Sequence, residues 1–204
     1  MIIGKWNKSV ILTYIGLIFS VFGIFICMTK ENCINIAMSC LIIAGICDLF
    51  DGFIARKCKR TEEEKQFGIE LDSLVDVINF IIFPIVIFIS INMTKYYNLL
   101  GVFIFAICGI ARLAYFNIKT ADNEQPIKYY IGLPVTYSAL IFPLIYLLKY
   151  VLPLNIFNII FTISIYIVSL LNVGNIKFSK PKGIAYLFFS LLAIGVLILY
   201  LGVL

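Results

Sequence analysis

The sequence has no histidine, no CxxC pair, and only 13% charged residues in a chain of 204. Each shortage removes a class of function. Without histidine or closely spaced cysteines, the usual donor sets for a zinc site are missing. A soluble domain carries about a quarter charged residues, so the low charge excludes that class as well. A chain this short and 62% hydrophobic has too high a surface-to-volume ratio to hide its apolar side chains from water. Its place is in a bilayer. No solenoid-like repeat or low-complexity tract interrupts it.

The six cysteines are Cys27, Cys33, Cys40, Cys47, Cys58 and Cys108. Three of them, Cys33, Cys40 and Cys47, recur every seven residues and read as small packing residues on one helix stripe. The apolar run after Lys8 is too long for a cleavable signal and leads into another, so the N-terminus is expected to stay.

Apolar segments able to cross about 30 Å of hydrocarbon fall at 9–28, 34–56, 68–92, 97–117, 131–149, 153–172 and 184–203. The predicted fold is therefore an all-α integral membrane protein, a bundle of about seven transmembrane helices in a single domain over 1–204. The basic residues alternate with these spans. One set of connections carries Lys5, Lys8, Arg56, Lys57, Lys59, Arg60, Lys65, Lys119, Lys128, Lys177, Lys180 and Lys182. The other set carries only Lys30, Lys95 and Lys149. By the positive-inside rule the N-terminus is cytosolic, with the basic loops against anionic lipid of the plasma (cytoplasmic) membrane. The net charge of +5 is thereby accounted for by membrane lipids, and no nucleic acid is implied.

The loop before the third span mixes charge signs, and its glutamates read as a solvated face. Thr61 and Glu64 have capping-box spacing and would start that helix ahead of the membrane.

The acids inside the spans are another matter. Asp48, Asp51, Asp72 and Asp76 lie within apolar segments, as does Glu70. Four unpaired carboxylates at about 2.5–3.5 kcal/mol each would cost on the order of 10 kcal/mol, as much as a domain's whole stability. Asp48 and Asp51 are spaced i,i+3, and Asp72 and Asp76 i,i+4, so each pair shares a helix face. Asp48 and Asp76 each lie about 12 Å from the loop joining their antiparallel helices. The pairs are thus expected to meet at one depth, as a hard oxygen site for Mg²⁺ or Mn²⁺, with room for two ions. Nearby Gly52 and Ala55 keep a helix face low, for a ligand or for a neighbouring helix. Arg56 suits a phosphate or anchors the topology.

Read in order, Asp48-Leu-Phe-Asp51-Gly52-Phe-Ile-Ala55-Arg56 and Gly68-Ile-Glu-Leu-Asp72-Ser-Leu-Val-Asp76 resemble the DxxDGxxAR…GxxxDxxxD signature of the CDP-alcohol phosphotransferases. The signature segment is 48–76, and its eleven-residue spacer exceeds the usual eight. The resemblance implies a six-helix core, here with one further helix, a homodimer, and two divalent ions on Asp48, Asp51, Asp72 and Asp76. It also implies that Asp76 is the catalytic base and that Gly52, Ala55, Arg56 and Gly68 lie against the CDP and phosphate groups.

Three stretches narrow the acceptor. Phe67 to Asp76 looks like the FGxxLDSLxD run of the phosphatidylserine synthases in this family. Ala111 to Asn117 looks like their RLARFN motif, with Tyr115 in place of the second arginine, and Gly132-Leu-Pro134 like their GLP. The reaction so implied moves the phosphatidyl group of CDP-diacylglycerol to the hydroxyl of L-serine, releasing CMP, with Arg112 and Asn117 as acceptor-binding residues. Arg112 is the only cation inside a span, and a serine carboxylate would partner it. Its alternatives are Glu70, a site aspartate or a donor phosphate, and Asn117 could instead cap a helix. Glycerol 3-phosphate, inositol phosphate and other small alcohols stand as alternative acceptors, although the two phosphates would call for more basic residues. A cation transporter is the remote alternative, but its acids would be spread along a path rather than gathered on one helix pair.

Overall fold

The computed structural model describes residues 4–30, 33–121, 129–179 and 184–202. Lys128, Lys180 and Lys182, counted above among the basic loop residues, lie outside the described residues.

Among the described residues, seven apolar helical segments follow one another: α1 Lys8–Thr29, α2 Ile34–Lys57, α3 Glu62–Ser90, α4 Tyr96–Ala121, α5 Val135–Tyr150, α6 Leu154–Val173 and α7 Ile184–Gly202. Six are long and apolar enough to cross a membrane, and α5 is shorter. Large apolar side chains such as Ile18, Phe25, Ile107, Leu191 and Ile198 face outward. Such a surface is stable against hydrocarbon and not against water. The protein is an all-α integral membrane protein.

Local chemistry sets the helix ends. Thr61 Oγ1 accepts from the Glu64 amide at 3.2 Å while Glu64 Oε2 accepts from the Thr61 amide at 2.8 Å, the capping box expected from the sequence. Glu62, Glu63 and Glu64 occupy the first turn, where the helix dipole favours acids. The N-terminal strand of chain is tied to this corner: Lys5 pairs with Glu63 at 2.7 Å and Asn7 Nδ2 donates to the Lys59 carbonyl at 3.2 Å. Trp6 stacks on Tyr14, ring centres 4.9 Å apart.

Midway along α3, just beyond Asp76, residues Ile78–Ile82 form a π-helical turn ahead of Pro84. Proline has no amide hydrogen to return to the preceding turn. The Phe80 carbonyl is taken instead by Ser138 Oγ, which donates to it at 3.0 Å from α5. Such a widened turn resets the face that the aspartate half of α3 presents.

The fifth span differs from its expected bounds of 131–149. Tyr129–Ile131 is a short strand, β1, paired antiparallel with β2, Lys177–Ser179, in the register Tyr130 to Phe178. Gly132 (φ +74°) and Pro134 then break the chain, so the helix starts only at Val135. Pro143 lies inside it. An apolar run cannot by itself reveal such interruptions.

The tightest core is an aromatic cluster of Phe88, Phe105, Phe142, Phe157 and Phe161, all at most 2% exposed. Phe88 and Phe142 meet edge to face at 4.7 Å. Counting along α3 and α4, this cluster fills the half of the bundle away from the aspartates.

Candidate active site

α1 and α2 pack along each other, and α3 packs against both, most of all through its Phe83–Ser90 half. That arrangement turns the two aspartate pairs toward one point. Carboxylate oxygens of Asp48, Asp72 and Asp76 all lie within 4.8 Å of one another. Asp51 approaches Asp72 and accepts a hydrogen bond from Thr13 Oγ1 at 3.1 Å. Four half-buried carboxylates at such separations repel one another strongly in a low dielectric. The donor set is entirely hard oxygen, which fits Mg²⁺ or Mn²⁺ and is unsuited to softer metals. Thr13, one of several hydroxyl residues in an apolar span, carries no mark in the sequence.

These carboxylates line one end of a cavity of about 290 Å³. Gly52 and Arg56 of α2 line it too. A methyl group placed on Gly52 would meet only Arg56 Nη1, at 3.7 Å, so the helix surface there is open for a ligand to approach.

Arg112 of α4 lines the same cavity, close enough to Asp48 and Asp76 for their charges to act on it. It is 7% exposed, and its Nε is buried without a hydrogen-bond partner. The guanidinium lies over the Phe116 ring at 4.9 Å and near the Tyr130 ring at 6.0 Å. No salt bridge joins it to a carboxylate among the described residues, and Glu70, one of its expected alternatives, is exposed. A buried cation with an unused donor is costly and is poised to receive an anion. Burial pushes the Tyr130 phenol up to about 12, so it stays protonated and keeps its donor.

The remaining sequence candidates sit elsewhere. Gly68 lies one turn before Asp72 on α3, where an added methyl would stand 3.7 Å from Val10 of α1, and it does not line the cavity. Ala55 is half-buried on α2, also off the lining. Asn117 Nδ2 donates to Ser73 Oγ at 2.8 Å, joining α4 to α3 outside the cavity wall. Conversely, Tyr130, Tyr137 and Tyr186 line the cavity although nothing in the sequence marks them. Among 12 tyrosines, three that converge only in space carry no local pattern.

Comparison with known proteins bears on this geometry. The family model described as CDP-alcohol phosphatidyltransferase matches residues 6–173. An archaetidylserine synthase of Methanothermobacter thermautotrophicus is 30% identical over 145 residues, covering 71% of this chain and 60% of the relative. A CDP-diacylglycerol–serine O-phosphatidyltransferase of Methanocaldococcus jannaschii is 30% identical over 167 residues, 82% of this chain and 74% of the relative. One of the same name from Helicobacter pylori is 32% identical over 155 residues, 73% and 63% respectively. The chain thus spans less than two thirds of the length of two of these relatives. No solved structure matches it. With the paired-aspartate helices and Arg112 all inside the matched stretch, this chain belongs to the CDP-alcohol phosphatidyltransferase family.

Proposed function

We propose that this protein transfers the phosphatidyl group of CDP-diacylglycerol to the hydroxyl of L-serine, giving phosphatidylserine and CMP. The observation that carries the reading is a single cavity lined by four aspartates and by the buried Arg112, whose Nε has no hydrogen-bond partner among the described residues. These groups match the two needs of the reaction: a diphosphate to be broken and a carboxylate-bearing acceptor to be held.

The residues divide the work as follows. Asp48, Asp51, Asp72 and Asp76 would hold divalent Mg²⁺ or Mn²⁺, which when bound screens the charge of the diphosphate and of the departing CMP. Arg56 and the open face at Gly52 take the CDP phosphates. The guanidinium of Arg112, kept flat by Phe116 and Tyr130, takes the serine carboxylate as a planar fork. Asp76 accepts the proton of the serine hydroxyl. The freed oxygen attacks the phosphorus bearing the diacylglycerol, and the bond from that phosphorus to the bridging oxygen breaks. CMP leaves with the bridging electron pair.

Two curated relatives carry the serine transferase name, which supports this acceptor. The asymmetry of basic residues supports a cytosolic active site and a cytosolic N-terminus in the plasma (cytoplasmic) membrane. A homodimer completes the reading, on family resemblance.

The deciding experiment supplies purified protein and CDP-diacylglycerol with serine, glycerol 3-phosphate, inositol phosphate and plain glycerol in turn, and follows CMP release. Serine alone is expected to give fast turnover. Equal or faster release with glycerol 3-phosphate or inositol phosphate would move the protein to another branch of the family.

A further inference from the structure

The family model ends at residue 173, yet the cavity does not. Its remaining wall comes from α7, which lies wholly beyond the matched stretch. Tyr186, Phe189 and Ala193 line the cavity at spacings i, i+3 and i+7, one face of a helix. At 1.5 Å per residue this face runs about 10 Å from the charged level toward the bundle's middle.

Along the neighbouring helices, the lining residues furthest from the charged level are apolar. On α2 the lining residues further from Arg56 than Asp48 are Ile42, Gly45 and Ile46; on α5 those beyond Tyr137 are Ala139 and Leu140. The cavity is therefore charged at its mouth and hydrocarbon-lined below, with no polar side chain among its deeper lining residues. Only an amphiphile satisfies both ends of such a space, because a polar ligand group in the lower part would lose its hydrogen bonds.

α7 is also held in place rather than merely adjacent. Phe189 meets the Tyr137 ring of α5 edge-on at 5.6 Å, and near the far end the buried Tyr200 Oη donates to the Pro143 carbonyl at 2.6 Å. The helix packs along α2 between these ties. A wall so fixed has a shape, and a fixed shape discriminates.

We propose that α7 is a specificity element for the donor lipid: Phe189 and Ala193 contact the first stretch of one hydrocarbon chain, just below the head group, and select its shape there. This rests on the reading of the protein as an enzyme acting on a CDP-linked lipid. A cavity of about 290 Å³ is far too small for a whole lipid, so the rest of the chain leaves into the bilayer. The wall consequently reads branching near the head group and is blind to total chain length.

The test is equilibrium binding to the full-length protein in detergent, with no acceptor present. Three probes are compared: a CDP-lipid with straight acyl chains, one with methyl-branched chains, and CDP alone. Two single substitutions alter the wall: Ala193→Leu narrows it and Phe189→Ala opens it. One methyl or methylene in an apolar pocket discriminates about 10-fold or more. Ala193→Leu is expected to weaken the branched donor by about that factor relative to the straight one, and Phe189→Ala to shift the ratio the other way. CDP alone, lacking a tail, reports whether the head-group site of each variant is intact. An unchanged ratio of the two donors in both variants, with CDP still bound, overturns the assignment of α7 and leaves the proposed function standing. Failure of the unaltered protein to bind any CDP-lipid overturns both.

Discussion

Asp76 stands one turn along α3 from Asp72, and carboxylate oxygens of both lie within 4.8 Å of one from Asp48. A side chain so placed could serve only to hold a cation, or could also take the acceptor's proton. Asp76→Asn separates these roles, because the amide keeps an oxygen donor while losing the basic site. General-base catalysis contributes about 10²- to 10⁴-fold, so CMP release should fall by at least about 100-fold while binding of the CDP-lipid persists. Near-normal turnover would remove Asp76 from the base role. Arg112 asks a different question, since its buried Nε has no partner. A hydrogen bond to a charged group is worth about 1.5–3 kcal/mol, so Arg112→Ala should raise KM for serine by about 10- to 100-fold with a much smaller change for the donor. Lysine in its place cannot offer the planar fork and should restore little. A rise in donor KM alone would assign Arg112 to the phosphates instead.

At the scale of elements, the GLP stretch gains a physical explanation that the sequence pattern does not supply. Gly132 has φ +74°, and a methyl group there would stand 2.2 Å from the Asn172 backbone carbonyl at the end of α6. Its amide donates to the Ile176 carbonyl at 3.0 Å, and that of Leu133 to the Leu171 carbonyl at 2.8 Å. The glycine is therefore a clip between two loops, which holds β1 against β2 and sets Tyr130 over Arg112. Gly132→Ala should cost about 1–3 kcal/mol from the left-handed conformation alone, and more from the clash, read as a lowered unfolding temperature in detergent. Unaltered stability would mean that the loop relaxes freely. This ribbon was invisible in the sequence because its strands, at 129–131 and 177–179, are three residues long and pair across nearly fifty positions. The long helices, by contrast, were legible as apolar runs, and the Thr61 cap as a local spacing. The π-helical turn was not, since it depends on Ser138 reaching Phe80 from another helix.

For the whole molecule, the same split recurs and has an energetic consequence. Meeting of the aspartate pairs followed from helix periodicity and antiparallel neighbours, two rules that act over short stretches of chain. What closes the cavity, Tyr130 from β1 and Phe189 from the last helix, depends on packing among elements far apart in sequence. The four carboxylates lie where α1, α2 and α3 converge, so their mutual repulsion acts directly on the packing of these helices. A divalent cation bound there would stabilise the folded bundle, by about 2.7 kcal/mol at a hundredfold excess over its dissociation constant. Chelation of divalent ions should accordingly stop CMP release and also lower the unfolding temperature, and Mg²⁺ or Mn²⁺ should restore both. Ca²⁺ makes a useful contrast, because it prefers longer bonds and more ligands: it should restore stability more readily than turnover. The stabilisation should disappear in Asp48→Asn combined with Asp72→Asn, which halves the charge of the cluster. Activity that survives exhaustive chelation, with an unfolding temperature that ignores divalent ions, would mean that these aspartates serve some purpose other than holding a metal.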